Sequence, residues 1–205
     1  VYQINLAVAG IAVGTVMLPE LSKHVRKNNF KKITHLQNRA LELSLFLSLP
    51  AATALVLASE QIVTSLFGYG SFDNESVLNT SIALTFFAFG VPAFSTLKIF
   101  SNYFFARNDT KTPFYLSLIS VILNIIISIT LFSKLGFVII AISTSISSWI
   151  NVLMHYYFIR KRNLHVFDNK FFYKILRTIL SVVVMGIALY LLLGFFSDKF
   201  IYNES

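Results

Sequence analysis

Six long apolar stretches constrain this chain more than any other feature of its sequence. Each approaches the roughly 20 residues that a helix needs to cross the hydrocarbon core of a bilayer. Of the 205 residues, 56% are hydrophobic and only 13% are charged, whereas a soluble domain is typically about 25% charged. We therefore predict an all-α integral membrane protein, a bundle of about six transmembrane helices over residues 1–19, 40–59, 80–105, 113–132, 136–159 and 175–196.

The basic residues lie on one side of these spans. Fourteen of the 17 Lys and Arg residues fall in segments 20–39, 107–112 and 160–177. Because short cytoplasmic loops of membrane proteins are rich in Lys and Arg, we predict that these segments are cytoplasmic and that both ends of the chain lie outside. The net charge of +8 is then explained without a nucleic-acid partner.

The sequence offers little for catalysis or metal binding. The chain has no cysteine, which excludes disulfides and thiolate chemistry. Its few histidines and carboxylates lack the spacing of metal ligands or of a catalytic triad. Glu42, one turn into the second span, has Arg39 three residues earlier as an ion-pair partner. We therefore expect no enzyme activity, no catalytic residue, no metal site and no cofactor.

Several residues within the spans suggest packing or movement. Gly10 and Gly14 form a small-xxx-small pattern that lets a second helix approach closely. Pro50 and Pro92 lie inside the second and third spans, where proline kinks a helix, and they are hinge candidates. Lys98, about two turns from the predicted cytoplasmic boundary, is a candidate contact for an anionic headgroup.

Polar residues in the spans need partners, because hydrocarbon offers none. Gln3 and Asn5 are candidates for a wet substrate cavity. For Asn124 and the polar residues at positions 143–151 we predict hydrogen bonds between helices, whereas His155 is expected at the membrane interface.

Local patterns also predict where helices begin. Thr112 followed by Pro113 is typical of an N-cap and first helical residue. Asp73 is predicted to cap the third span, and Gly136 follows a very short turn that makes spans four and five an antiparallel hairpin. The chain begins at Val1 inside an apolar stretch, so we expect a longer protein.

Three stretches go beyond a generic membrane protein. They are residues 14–24 (GTVMLPELSKH), residues 62–73 (IVTSLFGYGSFD) and residues 104–113 (FFARNDTKTP). In this order and spacing the chain resembles the lipid II flippase family (MurJ/MviN) of the multidrug/oligosaccharidyl-lipid/polysaccharide exporter superfamily.

The resemblance implies a transporter of the bacterial cytoplasmic (inner) membrane that serves peptidoglycan biosynthesis and so cell-wall biogenesis and cell shape. Its partners are membrane lipid and an undecaprenyl-pyrophosphate-linked peptidoglycan precursor, moved to the outer leaflet by alternating access. The chain resembles the C-terminal lobe of a two-lobe fold, without the N-terminal lobe and the final helix. Gln3 corresponds to a cavity-facing helix. The cytoplasmic signature loop comprises Arg107, Asp109, Lys111 and Pro113, for which capping and turn formation are favoured over headgroup contact.

Other functions remain open at this level. An exporter of drugs or polysaccharide-lipids from the same superfamily is one, although a cation-coupled drug exporter should show a buried carboxylate. A membrane enzyme acting on polyprenyl phosphates requires clustered carboxylates or histidines at one membrane face. The last alternative is a non-transporting membrane anchor or a non-functional split-gene fragment. Whether the chain is expressed at all decides this alternative.

Overall fold

The computed structural model of the protein describes residue 3, residues 7–68 and residues 73–201, with the backbone alone for residues 7–9 and 196–201. Across these ranges the chain forms only helices, turns and short connections. A π-helical turn, Ala7–Ala12, leads into seven α-helices: α1 Val13–Arg26, α2 Phe30–Leu57, α3 Ser59–Phe67, α4 Asn74–Phe105, α5 Lys111–Leu135, α6 Val138–Lys161 and α7 Asn169–Ile201.

Five of these helices are long and apolar enough to cross a membrane: α2, α4, α5, α6 and α7. They coincide with the second to sixth predicted spans and confirm a multi-pass, all-α membrane protein. The first predicted span is only partly described, because residues 1, 2 and 4–6 lie outside the described ranges. Its described part is helical residue 3, the π-helical turn and the 14-residue α1.

The helices extend further than the apolar stretches that predicted them. The segment 20–39 was expected to be a basic loop, but α1 continues to Arg26 and α2 begins at Phe30. Hydropathy detects only the part of a helix that contacts hydrocarbon. Lys and Arg are good helix formers, so the helices continue into the polar layer.

Helix α4 is the centre of the bundle. It contacts α1, α2, α3, α5 and α6, whereas α7 contacts α2 alone among the described elements. Fifteen residues of α4 are buried, and its last turns contribute Ile99, Phe100, Tyr103 and Phe104 to the main apolar core. The connections 27–29, 106–110 and 162–168 lie together at one end of this core, which we call the basic end.

Polar side chains join α4, α5 and α6 within the spans. The Ser145 hydroxyl donates to the carbonyl of Phe86 at 2.5 Å, and the Ser120 hydroxyl donates to the carbonyl of Ser147 at 2.8 Å. The Asn124 amide donates to Thr144 Oγ1 at 3.2 Å. These contacts confirm the predicted hydrogen bonds between helices for Asn124, Thr144 and Ser145, whereas the Ser147 and Ser148 hydroxyls donate to the carbonyl of Thr144 in their own helix. The His155 ring, predicted at the membrane interface, is fully buried and packs edge-on against Phe104 in the last turn of α4.

The helix ends show one prediction confirmed and one corrected. Asp73 caps α4 by accepting the Ser76 N–H at 2.9 Å, as expected. Thr112 is not the N-cap of α5, because the helix begins at Lys111. Instead the Asp109 carboxylate accepts the Thr112 N–H at 3.0 Å. This places Pro113 in the first turn, where proline still removes no intrahelical hydrogen bond.

The connections themselves depend on unusual backbone angles. Gly136 has a φ of 58° and closes the short α5–α6 hairpin. At the basic end, Asn28, Asn108 and Asn163 adopt φ values of 50°, 59° and 52° just after α1, α4 and α6. Asparagine is among the few side-chain-bearing residues that tolerate this left-handed region. The same residue type therefore ends three helices at the same end of the bundle.

We predict that Gly90→Ala destabilises the protein by about 1–3 kcal/mol, the usual range for overpacking. A Cβ at Gly90 would lie 2.8 Å from Ser145 Oγ and 2.9 Å from the Phe94 ring, so α4 and α6 would have to separate. The free energy of unfolding in mixed micelles measures the effect. Gly194→Ala in α7 is the control, because its Cβ meets no atom within 4 Å; equal losses in both variants would contradict the predicted close approach.

Candidate functional site

An open groove of about 730 Å³ runs between α1, α4 and the start of α5. We call it the α1–α4 groove. One wall is the π-helical turn and α1, and the other is the last part of α4 together with the first turns of α5. Its lining residues are Gly10, Ile11, Gly14, Thr15, Leu18, Lys98, Ser101, Asn102, Phe105, Thr110, Pro113, Phe114 and Ser117.

The base of the groove is set by a close contact between α1 and α4. The Asn102 amide donates to the carbonyl of Gly14 at 2.8 Å, and this bond is buried. A Cβ at Gly14 would lie only 2.9 Å from Asn102 Nδ2. Because Gly14 has no side chain, α1 approaches α4 closely enough for a side-chain amide to reach its backbone.

Lys98 is the charged residue of the groove. Its side chain is exposed, and the ion pairs of the described residues do not include it. It lies seven residues before Phe105, the last residue of α4, or about 10 Å along the helix axis at 1.5 Å per residue. The groove therefore presents one cation below the basic end, flanked by hydroxyl and amide groups.

The structure brings together some of the predicted site residues and not others. Lys98, Gly10, Gly14 and Pro113 all line the α1–α4 groove. Gln3 is helical and exposed but is not part of that lining, and Asn5 lies outside the described residues. The hinge candidates lie inside α2 and α4, at Pro50 and Pro92.

The signature loop makes its contacts within the protein at the basic end. Arg107 donates to the carbonyl of Tyr103 at 2.6 Å, one turn earlier in α4. It also donates to the carbonyl of Leu164 at 3.0 Å, in the connection between α6 and α7. Burial lowers the pKa of this guanidinium from its ordinary value, but arginine stays charged at neutral pH. Arg107 thus satisfies carbonyls at two helix ends.

Asp109 links the same connections through its carboxylate. It accepts the Thr112 hydroxyl at 2.7 Å as well as the Thr112 N–H, and it pairs with Arg162 at 2.6 Å. Burial alone would raise the pKa of Asp109, but the bonds from Thr112 and Arg162 outweigh it and lower the pKa below its ordinary value. Lys111 is exposed and takes no part in this cluster.

Behind this loop, His165 lies at the centre of a buried polar cluster. Its Nδ1 is 3.0 Å from Gln37 Oε1, and the Tyr103 hydroxyl donates to the Gln37 carbonyl at 3.0 Å. The ring is 4% exposed and meets Phe167 edge-on, with 4.3 Å between the ring centroids. Burial, with the nearby Arg107 charge as a second cause, lowers the pKa of His165 to about 4. The imidazole is therefore neutral at physiological pH and donates from Nδ1.

Sequence reasoning missed several partners in this region. Arg162, His165 and Gln37 were not identified, and Glu42 was paired with Arg39 alone. The Arg39 pair is present at 3.6 Å, but the shorter bond joins Glu42 to Lys174 at 2.8 Å. Helical spacing reveals partners three or four residues away, and Lys174 lies 132 residues from Glu42. Nothing in a single sequence signals such a pair.

The roles of Asp109 as helix cap and as ion-pair partner can be separated by substitution. Asp109→Ala removes both, and we expect it to cost about 1–2 kcal/mol of unfolding free energy. Asp109→Asn retains the cap acceptor and loses the charge, so it should cost below about 1 kcal/mol, as should Arg162→Ala. Unfolding in mixed micelles measures all three variants. Equal losses for Asp109→Ala and Asp109→Asn would contradict the capping role.

The buried imidazole also predicts a pH dependence. His165 gains a proton near pH 6.5 in the unfolded chain and only near pH 4 in the folded one. The contribution of His165 to the free energy of unfolding is therefore constant above about pH 6.5. It falls as the pH drops from 6.5 to 4, by roughly 3 kcal/mol in total. Unfolding free energies across this range should fall less steeply in His165→Asn. His35→Asn, at an exposed position of α2, should retain the wild-type slope; a wild-type slope in His165→Asn would refute the assignment.

Comparison with known proteins gives a consistent result. The family model described as lipid II flippase MurJ matches residues 1–205. A relative from Rhizobium meliloti named as a probable lipid II flippase MurJ is 40% identical over 93% of this chain and 36% of its own length. One of the same name from Rickettsia prowazekii is 33% identical over 100% of this chain and 41% of its own length. The chain thus spans about two fifths of these relatives.

A solved structure titled lipid II flippase MurJ, inward closed conformation, has a TM-score of 0.76 and 27% sequence identity, covering 98% of this chain and 46% of that one. A flippase moves a lipid between leaflets without making or breaking covalent bonds, so the family is one of transporters and not of enzymes. Since the family model matches from the first residue to the last, the chain belongs to the lipid II flippase MurJ family.

Proposed function

We propose that this chain is part of a lipid II flippase, which moves a lipid-linked peptidoglycan precursor from the inner to the outer leaflet by alternating access. The observation that carries the proposal is the family match over residues 1–205. The fold supports it, because a flippase structure covers 98% of the chain at a TM-score of 0.76. The α1–α4 groove adds a place where a polar headgroup meets a cation at the depth of a membrane span.

The physical task of a flippase explains why such a groove is useful. A pyrophosphate with an attached sugar and peptide has a very high transfer free energy into hydrocarbon. A water-filled, positively charged groove lowers that free energy while the prenyl tail stays in lipid. Lys98 supplies the charge, and Thr15, Ser101 and Ser117 supply hydroxyl groups on the same lining.

One lobe does not provide alternating access on its own, since that mechanism requires two bodies that move against each other. We therefore include in the proposal an N-terminal lobe as partner, with residues 1–205 forming a single lobe. Gly10 and Gly14 would then form a packing seam along the π-helical turn and α1, and Pro50 and Pro92 would be the points at which α2 and α4 bend. The relatives leave room for such a lobe, because the chain spans only 36–41% of those from Rhizobium meliloti and Rickettsia prowazekii.

The proposed orientation puts the basic end in the cytoplasm of a bacterial inner membrane. Fourteen of 17 Lys and Arg residues lie in the segments that meet there, as the positive-inside rule requires. The Arg107–Leu164 and Asp109–Arg162 contacts support the grouping of these segments at one end. In this proposal the signature loop holds the cytoplasmic ends of α4, α5 and α6 together.

Complementation tests the function and the need for a second lobe together. Cells depleted of their own lipid II flippase would express this chain with or without the N-terminal lobe of a relative, and exposure of the precursor on the outer leaflet would be assayed. We expect rescue only when both lobes are present. Rescue by this chain alone would contradict the two-lobe proposal, and failure of a stably inserted pair would contradict the flippase assignment.

In the rescued cells, Lys98→Ala should lower precursor exposure by roughly 10- to 150-fold, because a charge-assisted contact contributes about 1.5–3 kcal/mol. Lys98→Arg retains the charge and should retain most of the activity. Lys134→Ala is the matched control, since this lysine lies in the last turn of α5 at the opposite end of the bundle. If Lys98→Ala, at normal protein levels, gave the same precursor exposure as the wild type, the groove would not be part of the transport path.

A further inference from the structure

A second cationic site lies on the outer side of the bundle, away from the α1–α4 groove. A notch of about 450 Å³ separates α2 from α7, and we call it the α2–α7 notch. Arg39, Lys174 and Arg177 contribute three positive charges to its lining, and Glu42 contributes one negative charge. The notch therefore carries a net charge of +2, supplied by side chains of α2 and α7.

The ion pairs of the notch neutralise only part of its positive charge. Glu42 is bonded to Lys174 at 2.8 Å and to Arg39 at 3.6 Å, with side chains that are 12%, 49% and 69% exposed. Arg177 is exposed and is in none of the ion pairs found among the described residues. The carboxylate thus orients two of the cations, and the guanidinium of Arg177 is available to an external anion.

The charges lie at the depth of the phospholipid headgroups. Arg39 immediately precedes the apolar run of α2, residues 40–57, and Lys174 and Arg177 flank the start of the apolar run of α7. One to two turns deeper, Leu43 and Phe46 line the same notch with 46% and 57% of their surface exposed. A cationic rim above an exposed apolar floor matches a ligand that has an anionic head and a hydrocarbon tail.

The position of α7 makes lipid the natural occupant. Helix α7 packs against α2 alone among the described elements, and only 6% of its most apolar window is buried. The hydroxyls of Thr178 and Ser181 donate to carbonyls of their own helix, so the donors left for a ligand are the three cations. Guanidinium groups bind phosphate oxygens in a bidentate manner, and basic pockets between transmembrane helices bind anionic headgroups.

We propose that the α2–α7 notch binds the phosphodiester headgroup of an anionic glycerophospholipid, with Arg177 and Arg39 on the phosphate and an acyl chain against Leu43 and Phe46. The bound lipid would join α7 to α2, the one described element against which α7 packs. This site is distinct from the proposed substrate path, because it shares no lining residue with the α1–α4 groove.

The test measures lipid binding to the full chain in detergent micelles by native mass spectrometry, with thermal unfolding as a second readout. Phosphatidylglycerol is compared with phosphatidylcholine of the same acyl chains. We expect saturable binding of phosphatidylglycerol at least tenfold tighter than of phosphatidylcholine, together with a higher unfolding temperature. Arg39→Ala/Arg177→Ala should abolish this preference. Arg177→Glu alone should do the same without removing a residue that contacts Glu42.

Lys31→Ala/Lys32→Ala is the matched control, since it removes the same charge from exposed positions of α2 outside the notch. It should keep the lipid preference. Equal binding of both lipids by the wild type, an unchanged preference in both Arg177 variants, or an equal loss in the Lys31/Lys32 control would overturn the proposal. Displacement of phosphatidylglycerol by an equimolar polyprenyl pyrophosphate would also overturn it, because the notch would then be a substrate site.

Discussion

A polar group placed in hydrocarbon must find its partner inside the protein, and the architecture around α4 follows from this constraint. The backbone of each spanning helix is satisfied within the helix, so the groups that need partners are the side chains of Ser, Thr and Asn. Some of them donate to a carbonyl of their own helix, as Ser148 does, and others reach a neighbouring helix: Ser145 donates to the carbonyl of Phe86, and Asn102 to the carbonyl of Gly14. Both bonds require two helices to approach closely, and a glycine lies beside each of them, Gly90 and Gly14. Small residues and polar residues thus act together, one permitting the approach and the other making it specific.

At the basic end the same requirement is met by longer side chains. Arg107 donates to the carbonyl of Tyr103 in the last turn of α4 and to that of Leu164 in the connection after α6. Asp109 caps the following helix and binds Arg162. His165 stays neutral beside Gln37 because its burial disfavours a charge. The signature-loop residues Arg107 and Asp109 therefore hold the ends of three helices together. Below them lies the α1–α4 groove, whose Lys98 is in none of the ion pairs found among the described residues.

The spans were predictable from the sequence because apolar length is a property of consecutive residues. The Asp73 cap and the Gly136 turn were predictable for the same reason, since each involves residues a few positions apart. The Thr112 error was local, whereas other partners were missed because they are distant in sequence. Thr112 was taken as the cap because the Thr-Pro pattern is local, whereas the side chain that accepts its N–H belongs to Asp109. His155 was expected at the interface because it lies next to two tyrosines, and its contact with Phe104 of another helix was not foreseen. The clustering of Lys98 with Gly10, Gly14 and Pro113 depends on how three helices pack, which periodicity in one chain does not specify.

The one-sided packing of α7 has a consequence for how the protein meets bilayers of different thickness. This helix has 33 residues, or about 50 Å at 1.5 Å per residue, and so exceeds the roughly 30 Å of hydrocarbon. Its basic end is fixed, because Phe171 lies in the main core, but further along it has only α2 beside it among the described elements. Hydrophobic mismatch changes helix tilt at a cost of fractions of a kcal/mol per Å. Bilayer thickness should therefore act on the tilt of α7 before it acts on the helices gathered around α4.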